Sequence, residues 1–199
     1  MVSNSTTTAT DAVTLARRLE AVLMTADRPL SEHRLADILE LGAPEDPDVE
    51  DTKGPSAGEK NKAIREAIEQ LNSDYEDTNR TFRITKVAGG WQVLTIPEFA
   101  TDIARLKGAR QLAKLSPAAM ETLAIIAYRQ PILRADLESI RGVACGEILR
   151  SLMERRMVKI AGRAEEIGRP MLYGTTREFL QVFGLASLDD LPKTGLGSS

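Results

Sequence analysis

Apolar residues recur at helical spacing from about Asp11 to Ala26, where Val13, Ala16, Leu19, Leu23 and Met24 share one face, and this spacing predicts a first helix. The ten residues before it, MVSNSTTTAT, are small and polar without an apolar period and read as a disordered tail over 1–10. Pro29 closes the neighbourhood of that helix. Ser31 is a suitable N-cap, and Leu35, Ile38 and Leu39 supply the apolar face of a second helix ending at Gly42. A third helix, from about Glu59 to Tyr75, buries Ile64, Ile68 and Leu71. Between the second and third helices, residues 43–58 combine Pro, Gly and acids with no apolar period, the pattern of an acidic loop insertion.

Two short β-type runs follow, TFRITKV and WQVLTI, flanking Ala88-Gly89-Gly90. Glycine supplies the positive φ that a tight hairpin turn needs, so the runs predict a hairpin. Three helices and then a hairpin is the winged-helix order, and it covers residues 11–98. Pro97 to Gln111, with Phe99, Ile103, Ala104 and Leu106 apolar, predicts a connecting helix within a linker over 99–114. Ser116-Pro117 then reads as an N-cap with proline at the first helical position, opening a second domain over 115–186, with 187–199 as a C-terminal tail.

The second domain repeats the grammar of the first. With Pro29 set against Pro131, an offset of 102, Leu30 meets Ile132, Leu35 meets Leu137, Ile38 meets Ile140, and Leu23 and Met24 meet Ile125 and Ile126. In the third helices Ile64 and Ile68 meet Ile148 and Leu152 at an offset of 84, and the drop of 18 (102 − 84) is close to the length of the acidic loop, which the second copy lacks. Met157, Val158 and Ile160 predict a strand, Met171 to Thr175 its return, and Thr175 with Glu178 a capping box for a last helix. The expected fold class is mainly α with small β-hairpins, as tandem winged-helix domains.

Composition narrows what such a chain does. Aromatics are 4% of the 199 residues, so the cores are aliphatic. One cysteine (Cys145) and one histidine (His33) leave no disulfide and no Cys/His zinc set, and imply a reducing compartment. The longest apolar run, Leu123 to Tyr128, is far short of the roughly 20 residues of a membrane span. Net charge is −3, unevenly spread: residues 1–100 carry 11 Lys and Arg against 18 Asp and Glu, whereas residues 101–170 carry 13 against 8. Opposite charge on the two halves suits contact between halves, between subunits or with a charged partner, while solvated charged faces, the commoner explanation, need no such purpose.

The runs ETLAIIAYRQPILRADLESIRGV and GRAEEIGRPMLYGTTREFLQVFGLASLDDLP, within Leu115 to Pro192, closely resemble the bacterial segregation and condensation protein B family. The N-terminal half resembles it in element order and length. That resemblance implies a homodimer formed chiefly through the first domain, and a chain that binds the central part of a kleisin subunit, of the segregation and condensation protein A type. Through the kleisin it would join a structural-maintenance-of-chromosomes ATPase that holds the ATP chemistry. The implied role is a non-enzymatic accessory subunit in chromosome condensation and segregation, cytoplasmic and nucleoid-associated, without cofactor.

The rival reading is a winged-helix DNA-binding transcription regulator. A reader of the major groove presents a basic recognition helix. Residues 59–77 carry Lys60, Lys62 and Arg65 against six acids, a net −3, and residues 145–156 carry three arginines against two glutamates, a net +1. Phosphate repulsion opposes docking of the first, so direct DNA binding is expected to be weak or absent and the winged helices to bind protein. Arg129, Arg134, Arg163 and Arg169, together with Arg141, are candidate contacts for a partner's acids, and Tyr128 and Tyr173 are candidate anchors because interface hot spots favour Tyr and Arg. Each also has a plain reading, as solvated surface for the arginines and as core packing for the tyrosines. Trp91 reads as a wing residue packed on its own domain. His33 reads as exposed, and Cys145 before Gly146 as an inert thiol although a helix start can lower a thiol pKa. Asp46, Asp48 and Glu50 have calcium-loop spacing, but Asp51 stands where such a loop requires glycine. No catalytic, cofactor or metal residue is expected.

Overall fold

Capping chemistry sets the boundaries of the helices. A computed structural model describes residues 4–42, 55–107 and 115–192 of the chain, and it divides into two units, Met1–Ile103 and Ala104–Ser199. In the first unit, helix α1 (Asn4–Thr25) starts earlier than the periodicity suggested, taking in residues 4–10 that were expected to be disordered. Helix α2 (Glu32–Ile38) is capped by Ser31, whose side chain accepts from the Arg34 N–H. Helix α3 (Ala57–Asp77) begins at a capping box: the Glu59 N–H donates to Ser56 Oγ, and the Ser56 N–H donates to Glu59 Oε2. The last two residues of the expected loop, 57–58, are therefore the first turn of α3, and 43–54 lie outside the described residues.

Strands β1 (Phe82–Val87) and β2 (Gly90–Thr95) pair antiparallel, with Val87 opposite Gly90. The two turn residues, Ala88 (φ 49°) and Gly89 (φ 75°), both take positive φ, the requirement of a turn that matches strand twist. Gly90 cannot carry a side chain, because a Cβ there would lie 2.9 Å from the carbonyl carbons of Pro29 and Leu30. That close approach exists because Leu30 forms a bridge to Trp91, each residue's N–H donating to the other's carbonyl. The core is Leu19, Leu23, Leu35, Leu39, Ile64, Ile68, Leu71, Tyr75 and Ile84. The 3-10 turn Pro97–Phe99 leads into helix α4 (Ala100–Lys107), in which the unit boundary falls.

The second unit follows the same plan: helix α5 (Pro117–Arg129, capped by Ser116), strand β3 (Ile132–Leu133), helices α6 (Arg134–Arg141) and α7 (Gly146–Glu154), strands β4 (Val158–Arg163) and β5 (Met171–Thr175), and helix α8 (Arg177–Phe183). Its sheet has the order β3-β5-β4, all antiparallel, with Ile132 opposite Tyr173. That pair is the counterpart of Leu30 and Trp91. Each unit is therefore a winged helix: three helices, a hairpin, and a short strand before the second helix that pairs with the hairpin.

The burial phases refine the repeat. Leu23 and Ile126 are buried whereas Met24 is exposed, so Leu23 matches Ile126 rather than Ile125. The second unit has six positions from Ile126 to Ile132 where the first has seven from Leu23 to Leu30, which shifts the register by one. In the third helices the buried i, i+4, i+7 set Ile64, Ile68 and Leu71 recurs as Cys145, Leu149 and Leu152, an offset of 81 (145 − 64) where residue type alone suggested 84. The last cap also moves by one. Thr176, not Thr175, caps α8 by accepting from the Phe179 N–H, because Thr175 ends β5 and its hydroxyl is bonded to Gln130.

Candidate interaction surfaces

On the first unit a groove of about 990 Å³ runs between α1 and α3. Its floor includes Leu15, Ala16, Ala67, Leu71, Tyr75 and Phe82, and Ala63 and Ala67, one turn apart on α3, let another chain come close to the helix. Its rim alternates in sign, with Arg17 and Arg80 against Glu20, Glu66 and Asp74. At the floor the buried Tyr75 hydroxyl donates to Glu20 Oε1 at 2.9 Å. Burial, and then the glutamate beside it, push the phenol pKa well above its ordinary value.

The wing of this unit is closed by its own charges. Arg65 on α3 donates to Glu32 Oε2 at 2.9 Å, the Trp91 indole N–H reaches Glu32 Oε1 at 3.4 Å, and Lys86 sits over the Trp91 ring at 5.7 Å. Trp91 packs against its own core, as the sequence suggested. Elsewhere three helical cations also pair with acids one turn away: Lys62 with Glu66, Arg134 with Glu138 and Arg150 with Glu154.

On the second unit a groove of about 430 Å³ lies between the start of α6 and β5, lined by Leu133, Arg134, Glu138, Pro170, Met171 and Tyr173 among others. Two candidate residues far apart in sequence, Arg134 and Tyr173, meet here because β5 pairs with β3 immediately before α6. Glu138 Oε1 accepts from both Arg134 Nε and the Cys145 N–H at 2.9 Å, so the arginine is fixed to the start of α7. These two donors, the backbone one first, hold the Glu138 carboxyl below the usual range. Arg163 and Arg169 come together on the β4–β5 hairpin, where Arg163 Nη1 donates to the Arg169 carbonyl at 3.2 Å. Tyr128 and Arg129 sit apart from them at the end of α5. Tyr128 is 42% exposed, but its hydroxyl donates to the Pro192 carbonyl at 2.7 Å, a bond within the chain. Glu138, Leu133 and Met171 were not singled out from sequence; the i, i+4 spacing of Arg134 and Glu138 was the one available signal.

Cys145 is buried, and desolvation followed by the nearby Glu138 raises its thiol pKa, the reverse of what a helix start alone would do. His33 is exposed and lies 3.7 Å from Asp37. Among the described residues no three His, Cys, Asp or Glu side chains gather as metal ligands, and no helix is long and apolar enough to cross a membrane.

Residues 17–194 match the family model of the segregation and condensation complex subunit ScpB. The segregation and condensation protein B of Myxococcus xanthus is 43% identical over 85% of this chain and 52% of its own length, so this chain spans about half of that relative. The protein of the same name from Syntrophotalea carbinolica is 40% identical over 92% of this chain and 83% of its own. The crystal structure of ScpB from Mycobacterium tuberculosis is 28% identical, covering 87% of this chain and 97% of that one, with a TM-score of 0.36.

Proposed function

The chain belongs to the segregation and condensation protein B family, and from that premise we propose that it is a non-enzymatic subunit of a chromosome condensation complex that dimerises and grips a kleisin. The family match over most of the chain carries this reading. The ATP chemistry then resides in the structural-maintenance-of-chromosomes partner reached through the kleisin.

Two surfaces suit the two contacts. The α1–α3 groove of the first unit suits a second copy: its floor is apolar and its rim carries both signs, so a two-fold arrangement can set Arg17 and Arg80 against Glu66 and Asp74. The α6–β5 groove of the second unit suits the kleisin. Leu133 and Met171 would take an apolar side chain, and Arg134 and Tyr173 an uncharged acceptor such as a carbonyl, since Glu138 already neutralises the arginine; Arg163, Arg169, Tyr128 and Arg129 are further candidate contacts outside the groove.

The internal pairing of Arg65, Lys62, Arg134 and Arg150 favours protein over DNA, since cations already held by carboxylates release few counterions from a duplex. Light scattering of the free protein and gel shifts across a salt series test this. A dimer with no salt-sensitive duplex binding supports the reading. A monomer that holds one operator sequence tightly, and loses it steeply with salt, would instead identify a transcription regulator.

A further inference from the structure

The second unit fills a groove that the first leaves open. On the register that sets Leu23 against Ile126, the groove-lining residues Ala16 and Glu20 of α1 correspond to Ala119 and Leu123 of α5. Ala16 and Glu20 are half-buried, whereas Ala119 and Leu123 are buried in the core of their unit, Leu123 to 1% exposure. On α3 the lining residue Ala67 corresponds, at the offset of 81, to Ile148 of α7, which packs against that same core. The second unit adds to this core the helix that follows its hairpin. Phe179 of α8 is 3% exposed within it, and Leu180, Val182 and Leu185 pack against it. Helix α8 also sets out from the matching place: its cap Thr176 donates to the carbonyl of Arg156, the counterpart at the same offset of the groove residue Tyr75.

In the first unit the helix that follows the hairpin is α4, and none of its described residues joins the core. Phe99, at the end of the 3-10 turn, and Ile103 and Leu106 fall at i, i+4 and i+7, one apolar stripe. Phe99 is 36% exposed and Leu106 83%. Strand length accounts for the difference between the units. Strand β5 ends at Thr175, two residues past Tyr173, whereas β2 runs to Thr95, four past the equivalent Trp91. Two extra residues, about 7 Å of strand, carry the chain beyond the point where α8 turns back.

We propose that α4 of a second copy fills the α1–α3 groove, each chain lending its helix to the other. This rests on the second-copy reading of that groove and names the segment that enters it. The repeat itself supplies the occupant: where the groove is filled, a helix following the hairpin fills it with aromatic and aliphatic side chains. Every chain carries one open groove and one such helix with its stripe exposed, so a reciprocal exchange about a two-fold axis covers both and closes as a dimer. A foreign helix in the groove would leave Phe99 and Leu106 in water. Ala63 and Ala67 leave room for the incoming side chains. Charge agrees as well, since α4 carries Asp102 and Arg105 and the rim offers Arg17 and Arg80 to the one, Glu66 and Asp74 to the other.

The test uses the intact chain, with dimer strength measured by sedimentation equilibrium. Phe99→Ser combined with Leu106→Ser changes exposed positions, and should keep the fold while weakening the dimer by about a hundredfold, because a two-fold interface loses each contact twice. Ala67→Arg, which blocks the groove from the other side, should weaken it comparably. A photoreactive amino acid in place of Leu106, in a mixture of isotope-labelled and unlabelled chains, should cross-link to α1 or α3 of a chain of the other label. Cross-links confined to single chains would overturn the exchange. Weakening by Ala67→Arg alone would also overturn it, while leaving the groove as the interface. Loss of kleisin binding with the dimer intact would give the groove to the kleisin and overturn it too. A dimer indifferent to both variants, or a monomeric wild type, would remove the second-copy reading of the groove as well.

Discussion

The carboxamide of Asn72 on α3 clasps the backbone of Ile84 on β1: its Oδ1 accepts from the Ile84 N–H and its Nδ2 donates to the Ile84 carbonyl, both at 2.9 Å. The second unit has an analogous clasp. Gln130, just after α5, accepts at Oε1 from the Thr175 N–H on β5 at 2.8 Å and donates through Nε2 to the Ala127 carbonyl at 3.1 Å. In each unit one amide side chain therefore ties the helical layer to the hairpin. Replacing Asn72 by alanine leaves two backbone groups of β1 without partners, and should cost about 1–3 kcal/mol. Urea unfolding checks this, with Gln130→Ala expected to cost a similar amount.

Leu35 and Leu137 are equivalent in the repeat, and both are fully buried, each in the core of its own unit. Truncating either to alanine removes the same atoms from a closed site. Each variant should lose about 2–5 kcal/mol, read from denaturant curves. A negligible cost at either position would mean that the shared plan does not carry a shared core.

The two ends of the pH range probe the two surfaces separately. Tyr75 has a folded-state pKa above its unfolded value near 10, so the neutral phenol is favoured by folding. The stability it contributes is complete below about pH 10 and declines as the pH climbs beyond. Glu138 is shifted the other way. Its contribution is present above the unfolded value of 4.5 and is lost as the pH falls towards the lower folded value. Tyr75→Phe should flatten the alkaline limb of a stability profile, and Glu138→Gln the acid limb, each leaving the opposite limb unchanged.

Much of this was legible in the sequence because helices of this length announce themselves by apolar period and by their caps. Ser31 and Ser116 cap where expected, and Pro29 and Pro131 bracket matching turns. The bridge at Leu30 and the two-residue strand Ile132–Leu133 left no trace, since alternation cannot be seen over so few positions. The phase of the repeat slipped by one at Met24, because aliphatic type does not distinguish a buried leucine from an exposed methionine. Arg134 and Tyr173 could be suspected singly but not as neighbours; only the pairing of β5 with β3 places them in one groove. Tyr128 and Pro192 likewise meet through tertiary folding. The burial of Arg141 needed coordinates, because burial of an arginine has no local sequence signal.

Calorimetric titration of the kleisin's central segment into the wild-type protein and into the Arg134→Glu, Tyr173→Ala double variant tests the proposed role most directly. A saturable complex with the wild type, weakened by about tenfold or more in the variant while the free protein keeps its fold, is the result expected. No heat of binding with the folded wild type would contradict it.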